Sequence, residues 1–283
     1  KGFEFIVSSR NTVGTVKWRT DVNFSTIHNE VKALGPDGEP IYSRGGAGIR
    51  HITEIGSPIG SYFGYKVDKV YMNQAEIDAD PVPDKIYTPR PGYFKWQDVN
   101  GDGQIDSGDR TVTGNYIPDF YYGINNEIEY QNWNLSFLIQ GVEGSEILNL
   151  VKRHIGNNAG NFQQFAYATD RWRSEADPGS GAHPIALRAG SQNNRQSDYQ
   201  VDDASYIRLR NVTLAYNFPK SQLGNTIDRL RLYLTGTNLL TITDYPGYNP
   251  EANNQEDNLL VQGEDYGTYP LQKKLTLGIN INF

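Results

Sequence analysis

The stretch KKLTLGININF, residues 273–283, decides how the chain is read. Leu275, Leu277, Ile279, Ile281 and Phe283 fall on one side of an extended backbone, and Lys274, Thr276, Gly278, Asn280 and Asn282 fall on the other. Strict period two means a β-strand with one apolar and one polar face. Such a strand suits a water-soluble sandwich, or a barrel wall whose apolar face meets lipid and whose polar face meets a lumen. Periodicity alone does not choose.

The pattern recurs upstream. Phe3, Phe5 and Val7, then Val16, Trp18, Thr20, Val22 and Phe24, predict a hairpin with a tight turn at Gly14. Phe120, Tyr122, Ile124, Ile128 and Tyr130 predict a strand that turns near Gln131 into Trp133, Leu135, Phe137 and Ile139. SYIRLRNVTLAYNFP turns through KSQLGNTID into RLRLYLTGTNL, and the apolar phase slips near Asn211, the mark of a bulge. Seven strands are expected, at 1–11, 14–26, 119–130, 132–142, 205–218, 229–240 and 272–283.

Between the hairpins lie long polar segments, 27–118, 143–203 and 241–271. Short turns at one end and long loops at the other is the asymmetry of outer-membrane barrels. Aromatic residues gather at the short-turn end, Tyr130 with Trp133 and Tyr216 with Phe218, where an interfacial girdle would sit. Single-chain bacterial barrels have an even number of strands, so seven cannot close alone. The expected fold is therefore all-β: the C-terminal segment of a larger antiparallel transmembrane barrel, with residues 1–283 as one barrel portion. GSYFGYKVDKVY, which also alternates, is placed inside the first loop. SEILNLVKRHI and FQQFAYATDRWR, in the second, have helical spacing.

Composition agrees. Of 283 residues 12% are aromatic, and 29 glycines and 14 prolines favour strands and turns over long helices. A net charge of −7, with no basic cluster, argues against nucleic-acid binding. There is no cysteine, so neither disulfides nor thiolate metal sites arise.

Several stretches together resemble the SusC/RagA-type TonB-dependent transporters of Bacteroidetes: IGSPIGSYFGYKVDKVY, DVNGDGQIDSGDRTVTGNYIPDFYYGINNEIEY, SYIRLRNVTLAYNFPK, LYLTGTNLLTITDYPGYNPE and YPLQKKLTLGININF. The resemblance implies an outer-membrane barrel of about 22 strands with a lumen plug. It further implies import of a nutrient, a glycan oligomer or peptide, powered through TonB. A SusD-like surface lipoprotein would be the partner; the plug, the TonB-contacting segment and the remaining strands would lie upstream. Gly278, Ile281 and Phe283 resemble the C-terminal signal by which outer-membrane barrels are recognised for insertion.

The loop DVNGDGQIDSGDR carries its own pattern. Asp98, Asn100, Asp102, Asp106 and Asp109 occupy positions 1, 3, 5, 9 and 12 of an EF-hand-type loop, with the Gln104 carbonyl at position 7 and Gly103 at the sharp turn. Hard oxygens at that spacing suit Ca2+, here as a loop staple rather than a switch. Asp109 departs from the usual glutamate.

No enzyme is expected. His28, His51, His154 and His183 lack ligand spacing and read as ordinary loop histidines; no nucleophile, phosphate or dinucleotide motif occurs, and no Asp/Glu pair is singled out for glycoside hydrolysis. Tyr62, Phe63, Tyr245 and Tyr248 read as loop packing before sugar stacking. The competing reading is a soluble, secreted, calcium-stabilised carbohydrate-binding β module.

Overall fold

A computed structural model describes residues 1–283 except 46–47, 157–162, 188–191 and 255–256. Seven strands form one antiparallel sheet: β1 (Gly2–Val13), β2 (Val16–Ile27), β3 (Phe120–Tyr130), β4 (Trp133–Glu143), β5 (Tyr206–Asn217), β6 (Arg229–Thr243) and β7 (Lys274–Asn282). Each pairs with its neighbours in chain order, a simple meander whose outer strands, β1 and β7, do not meet. The wall is open within this chain.

Register shows why these sequences make a wall. Leu277, Leu234, Leu214, Leu135, Ile128 and Trp18 are successive cross-strand partners from β7 to β2. One step toward the short turns, Ile279, Leu232, Tyr216, Trp133, Tyr130 and Val16 form the next row on the same face. The girdle aromatics thus sit side by side, with the rings of Trp133 and Tyr216 4.8 Å apart. Toward the long connections the face continues through Leu240, Leu209, Ile139, Ile124, Val22 and Val7.

The reverse face is polar. One of its rows runs Thr276, Thr235, Thr213, Ser136, Glu127, Arg19 and Arg10. The ten steps of β4 cover about 33 Å, which at a tilt near 40° is a height of about 25 Å, that of an outer-membrane apolar band. Leu275 and Leu277 are more than two-thirds exposed, and Trp18, Leu214 and Leu234 remain about half exposed. An apolar face of this extent left open to solvent marks contact with a membrane or partner.

The expected bulge is real. Against β4, whose Leu138 and Ile139 pair with Asn211 and Leu209, Arg210 is the extra residue; against β6, Asn238 and Leu239 together stand opposite Arg210. Both two-residue turns have positive φ at their first position, Gly14 at 61° and Gln131 at 54°. Glycine adopts this freely; glutamine does not.

The hydrophobic core lies in the long connections rather than in the wall. The first connection builds a small sheet from Ile41–Gly45, Gly48–Thr53, Ser61–Gly64 and Thr111–Gly114, and a ribbon from Val67–Val70 and Phe94–Trp96. The alternating GSYFGYKVDKVY stretch supplies two of these strands. Tyr65, Val70, Phe94, Trp96 and Ile105 pack there with Trp172 from the second connection.

One expectation fails. Within SEILNLVKRHI, Glu146–Asn149 is a strand and only Lys152–Gly156 coils, as a π-turn. Ile147, Leu148 and Leu150 are all buried, between two packing layers, so apolar residues fall without helical selection. The strand pairs with Val201–Asp203 and, in parallel, with Glu264–Asp265, stitching the second connection to the third. Of FQQFAYATDRWR, Ala166–Asp170 forms a short 3-10 turn, and Phe162 lies outside the described residues.

Releasing the strained turn tests the assignment of the short-turn end. Gln131→Gly should stabilise the β3–β4 hairpin by about 1 kcal/mol, the left-handed penalty of an ordinary residue. Hydrogen exchange at residues 128–135 of the full-length protein in detergent should slow accordingly; faster exchange would contradict the turn geometry.

Candidate functional site

Where the third connection folds back onto the polar face, a charged knot forms. Arg208, on β5, is fully buried. Its Nε donates to Thr241 Oγ1 on β6 at 3.0 Å, its guanidinium lies 4.5 Å from the centre of the Tyr206 ring, and it pairs with Glu251 of the third connection. The Tyr206 hydroxyl donates to Glu251 at 2.5 Å and accepts from Gln140 Nε2 on β4 at 2.9 Å. Burial opposes ionisation of Glu251, but the hydrogen bonds from Tyr206 and Arg208 outweigh it and hold the carboxyl below its ordinary value.

Beside the knot a groove of about 400 Å³ opens on the polar face, lined by Asn23, Tyr121, Gln140, Tyr206 and Glu251. Amides, hydroxyls, a carboxylate and ring faces together suit a polar ligand, which they can grip by hydrogen bonds and stacking.

A second knot ties the first connection to the third. His51 and Glu264 are fully buried, with Nε2 and Oε1 3.1 Å apart, and His51 Nδ1 faces the Gly60 carbonyl at 3.0 Å. Arg50 lies 3.6 Å from the same carboxylate and donates to the Tyr266 hydroxyl. Nearby, Tyr245 donates to Asp265 at 2.6 Å, and burial with that carboxylate pushes its phenol up. His51 is thus no ordinary loop histidine. The 213-residue separation from Glu264 leaves no local signal that sequence reading could use. Of the loop aromatics, Tyr62, Phe63 and Tyr245 are buried packing residues as expected, whereas Tyr248 stands exposed.

The acidic loop folds around its own backbone. Asp98 accepts from the N–H groups of Gly101 and Gly103, Asn100 Oδ1 from Asp102, Asp102 Oδ1 from Gln104, and Asp106 Oδ1 from Gly108. Asp109 is fully buried, and its two oxygens take the N–H of Val99 at 2.9 Å and of Asp106 at 2.7 Å. The residue that departs from the EF-hand pattern is therefore the one that ties the end of the loop back to its start by hydrogen bonds. Asn100 and Asp102 stay exposed, and Gln104 is half-buried. Among the described residues no group of three or more His, Asp or Glu side chains converges closely enough to hold a metal ion.

At the other end of the wall, Gly278 lies on the polar face opposite Tyr233, whose ring would collide with an added Cβ at 2.2 Å. Ile281 is on the apolar face paired with Leu230, and Phe283 follows the last residue of β7, largely exposed.

The arrangement has known counterparts. TonB-dependent receptor P3 of Formosa agariphila is 36% identical over this whole chain, which spans 28% of that protein's length. TonB-dependent receptor P26 of the same organism is 34% identical over the whole chain, and TonB-dependent receptor SusC of Bacteroides thetaiotaomicron is 26% identical. Along its whole length this chain is similar to TonB-dependent receptors of the SusC type. No family model matches it. The solved structure of the RagAB peptide transporter superposes on the whole chain with a TM-score of 0.77 at 19% identity, covering 29% of that structure's chain. The fold is thereby that of the RagA-type barrel portion, and the chain spans less than a third of the length of the relatives and structures it matches. The Arg208 knot and its groove lie on the polar face of the wall.

Removing the charge tests the knot. Glu251→Gln leaves Arg208 buried without its counter-charge, and should cost about 3 kcal/mol, the low end for a buried pair because Glu251 is partly exposed. Because the folded pKa of Glu251 is depressed, its contribution is present above the ordinary value of 4.5 and is lost as pH falls through the folded value. Hydrogen exchange at residues 248–253 should therefore accelerate in the variant at pH 7, and in the wild type only below about pH 4.5.

Proposed function

We propose that this chain is the wall and loop portion of an outer-membrane importer that takes up a nutrient, a glycan oligomer or peptide, with energy delivered through TonB. The observation that carries the reading is a single sheet with an apolar outer face and a polar inner one, in a chain similar throughout to TonB-dependent receptors. The lumen groove at Gln140, Tyr206 and Glu251 supplies the donors, acceptors and ring faces through which a polar oligomer would pass. A SusD-like lipoprotein is the partner in this reading, docking on the long connections, and the plug and TonB contact belong to parts of the longer protein. No residue is assigned a catalytic role. Gly278, Ile281 and Phe283 serve insertion of the wall into the membrane.

Purification of the native protein from outer membranes in detergent, with mass spectrometry of co-purifying polypeptides and an uptake assay, tests this. Recovery with a surface lipoprotein, and uptake reduced several-fold by Tyr206→Phe with Gln140→Ala, is the expected result. A water-soluble species without partners would return the case to a carbohydrate-binding module.

We propose in addition that the acidic loop binds Ca2+ as a structural ion. Asp98, Asn100, Asp102 and Asp106, with the Gln104 carbonyl, are hard oxygen donors of the kind calcium takes, while Asp109 remains committed to the backbone. Occupancy requires some carboxylates to exchange backbone hydrogen bonds for the ion. Millimolar calcium should slow hydrogen exchange over residues 98–110 in the wild type and not in Asp102→Ala; equal exchange with calcium and with chelator would contradict the proposal.

A further inference from the structure

The last three strands of the wall are basic in an acidic chain. The net charge is −7, yet β5, β6 and β7 hold Arg208, Arg210, Arg229, Arg231 and Lys274 and not one aspartate or glutamate. All five stand on the polar side. Arg208 is the cross-strand partner of Gln140 and Thr241, Lys274 of Thr237, Arg231 of Asn280 and Arg229 of Asn282, while Arg210 lies 3.9 Å from Glu251. On β2 and β3 the polar side carries both signs, with Lys17 3.6 Å from Glu129 and Arg19 2.9 Å from Asp21.

Only part of the charge on β5–β7 is met. Glu251 takes Arg208 and approaches Arg210, whereas Arg229, Arg231 and Lys274 form no ion pair among the described residues. Arg231 Nε is buried without a hydrogen-bond partner. It borders a cavity of about 470 Å³ at the short-turn end, lined also by Arg229, Asn217, Asn280 and Asn282. Asp228, the carboxylate at its edge, is held by Lys220 Nζ at 2.9 Å. Two guanidiniums and three carboxamides thus line the cavity, donors of the kind that grip a carboxylate or a sulfate.

Between the cations the surface is hydroxylic. Thr213, Thr235 and Thr276 run side by side across the three strands, with Thr237 and Thr241 closer to the long connections. No residue of β5–β7 that pairs on this side is Leu, Ile, Val, Met or Phe. An oligomer suited to such a surface carries hydroxyls and negative charge and lacks apolar side chains, which describes an acidic oligosaccharide better than a peptide.

We propose that the polar side of β5–β7 conducts an acidic oligosaccharide, one bearing carboxylate or sulfate groups, an inference that rests on the importer reading above. The cations are spread from Arg208 and Lys274 near the long connections to Arg229 near the short turns, about 27 Å along the strands. A single acidic segment of the longer protein would neutralise one end of that spread. An oligomer with charges along its length meets a further cation as it advances, and low-dielectric walls focus the field that draws it in.

The test is calorimetric titration of the full-length protein, purified from outer membranes in detergent, with tetragalacturonate, a sulfated galactan tetrasaccharide, neutral maltotetraose and cellotetraose, and tetraglutamate. An acidic saccharide should bind, and its affinity should fall about tenfold in the Arg229→Gln/Arg231→Gln double variant, the loss of one charge-assisted hydrogen bond, and fall again in raised salt. Binding of a neutral saccharide alone would overturn the acidic sector while leaving the importer reading intact. Preference for tetraglutamate, binding of no acidic saccharide, or acidic-saccharide binding that the double variant leaves unchanged would overturn it as well. A protein that binds nothing and stays in water without detergent would overturn the importer reading, and this inference with it.

Discussion

A strand that crosses hydrocarbon must satisfy every backbone N–H and C=O inside the wall, because lipid offers no partners. That constraint orders the rest of this structure. It makes the sheet a continuous meander, in which each of the seven strands pairs with its chain neighbours over most of its length. It leaves β1 and β7 with one unpaired edge each among the described residues, and the relatives are more than three times the length of this chain. It also turns side-chain alternation into function, since the two faces of one sheet meet two different solvents.

The wall and its loops obey opposite packing rules. Leu275, Leu277, Leu234 and Ile279 remain exposed on the wall, while Tyr62, Phe94, Trp96, Leu148 and Leu150 are buried in the long connections. Those connections behave as a globular layer with its own core, held together by the strand stitched between the second and third connections and by two buried polar knots. One knot, His51 with Glu264, joins loop to loop; the other, Arg208 with Glu251, joins loop to the polar face of the wall. The second knot sets the position of the groove, since Glu251 both pairs with Arg208 and lines the cavity.

Period two made the wall legible from residues alone. All seven strands lie within a few residues of where alternation placed them, and the slip near Asn211 was visible as a break in the apolar phase. β6 runs on to Thr243, past the expected end at 240, because Leu240 and Ile242 resume the apolar face beyond the irregular Asn238, whose φ is 52°. The long connections were legible only as long and polar. Residues 145–155 read as a helix because Ile147, Leu148, Val151 and Ile155 fall at helical spacing, and the partners that make Glu146–Asn149 a strand, Val201–Asp203 and Glu264–Asp265, are remote in the chain. The knots were invisible for the same reason. Arg208 and Glu251 are 43 residues apart, and nothing in either neighbourhood marks the pair.

The central claim is that one sheet separates lipid from an aqueous lumen, and cysteine scanning along β7 tests it most directly. With single cysteines at positions 274–282 of the full-length protein in outer membranes, a lipid-soluble maleimide should label 275, 277, 279 and 281. A charged, water-soluble one should label 274, 276 and 280, and the pattern should invert at each step. Labelling of all positions alike by the water-soluble reagent would contradict the account, because it would place both faces of the strand in water.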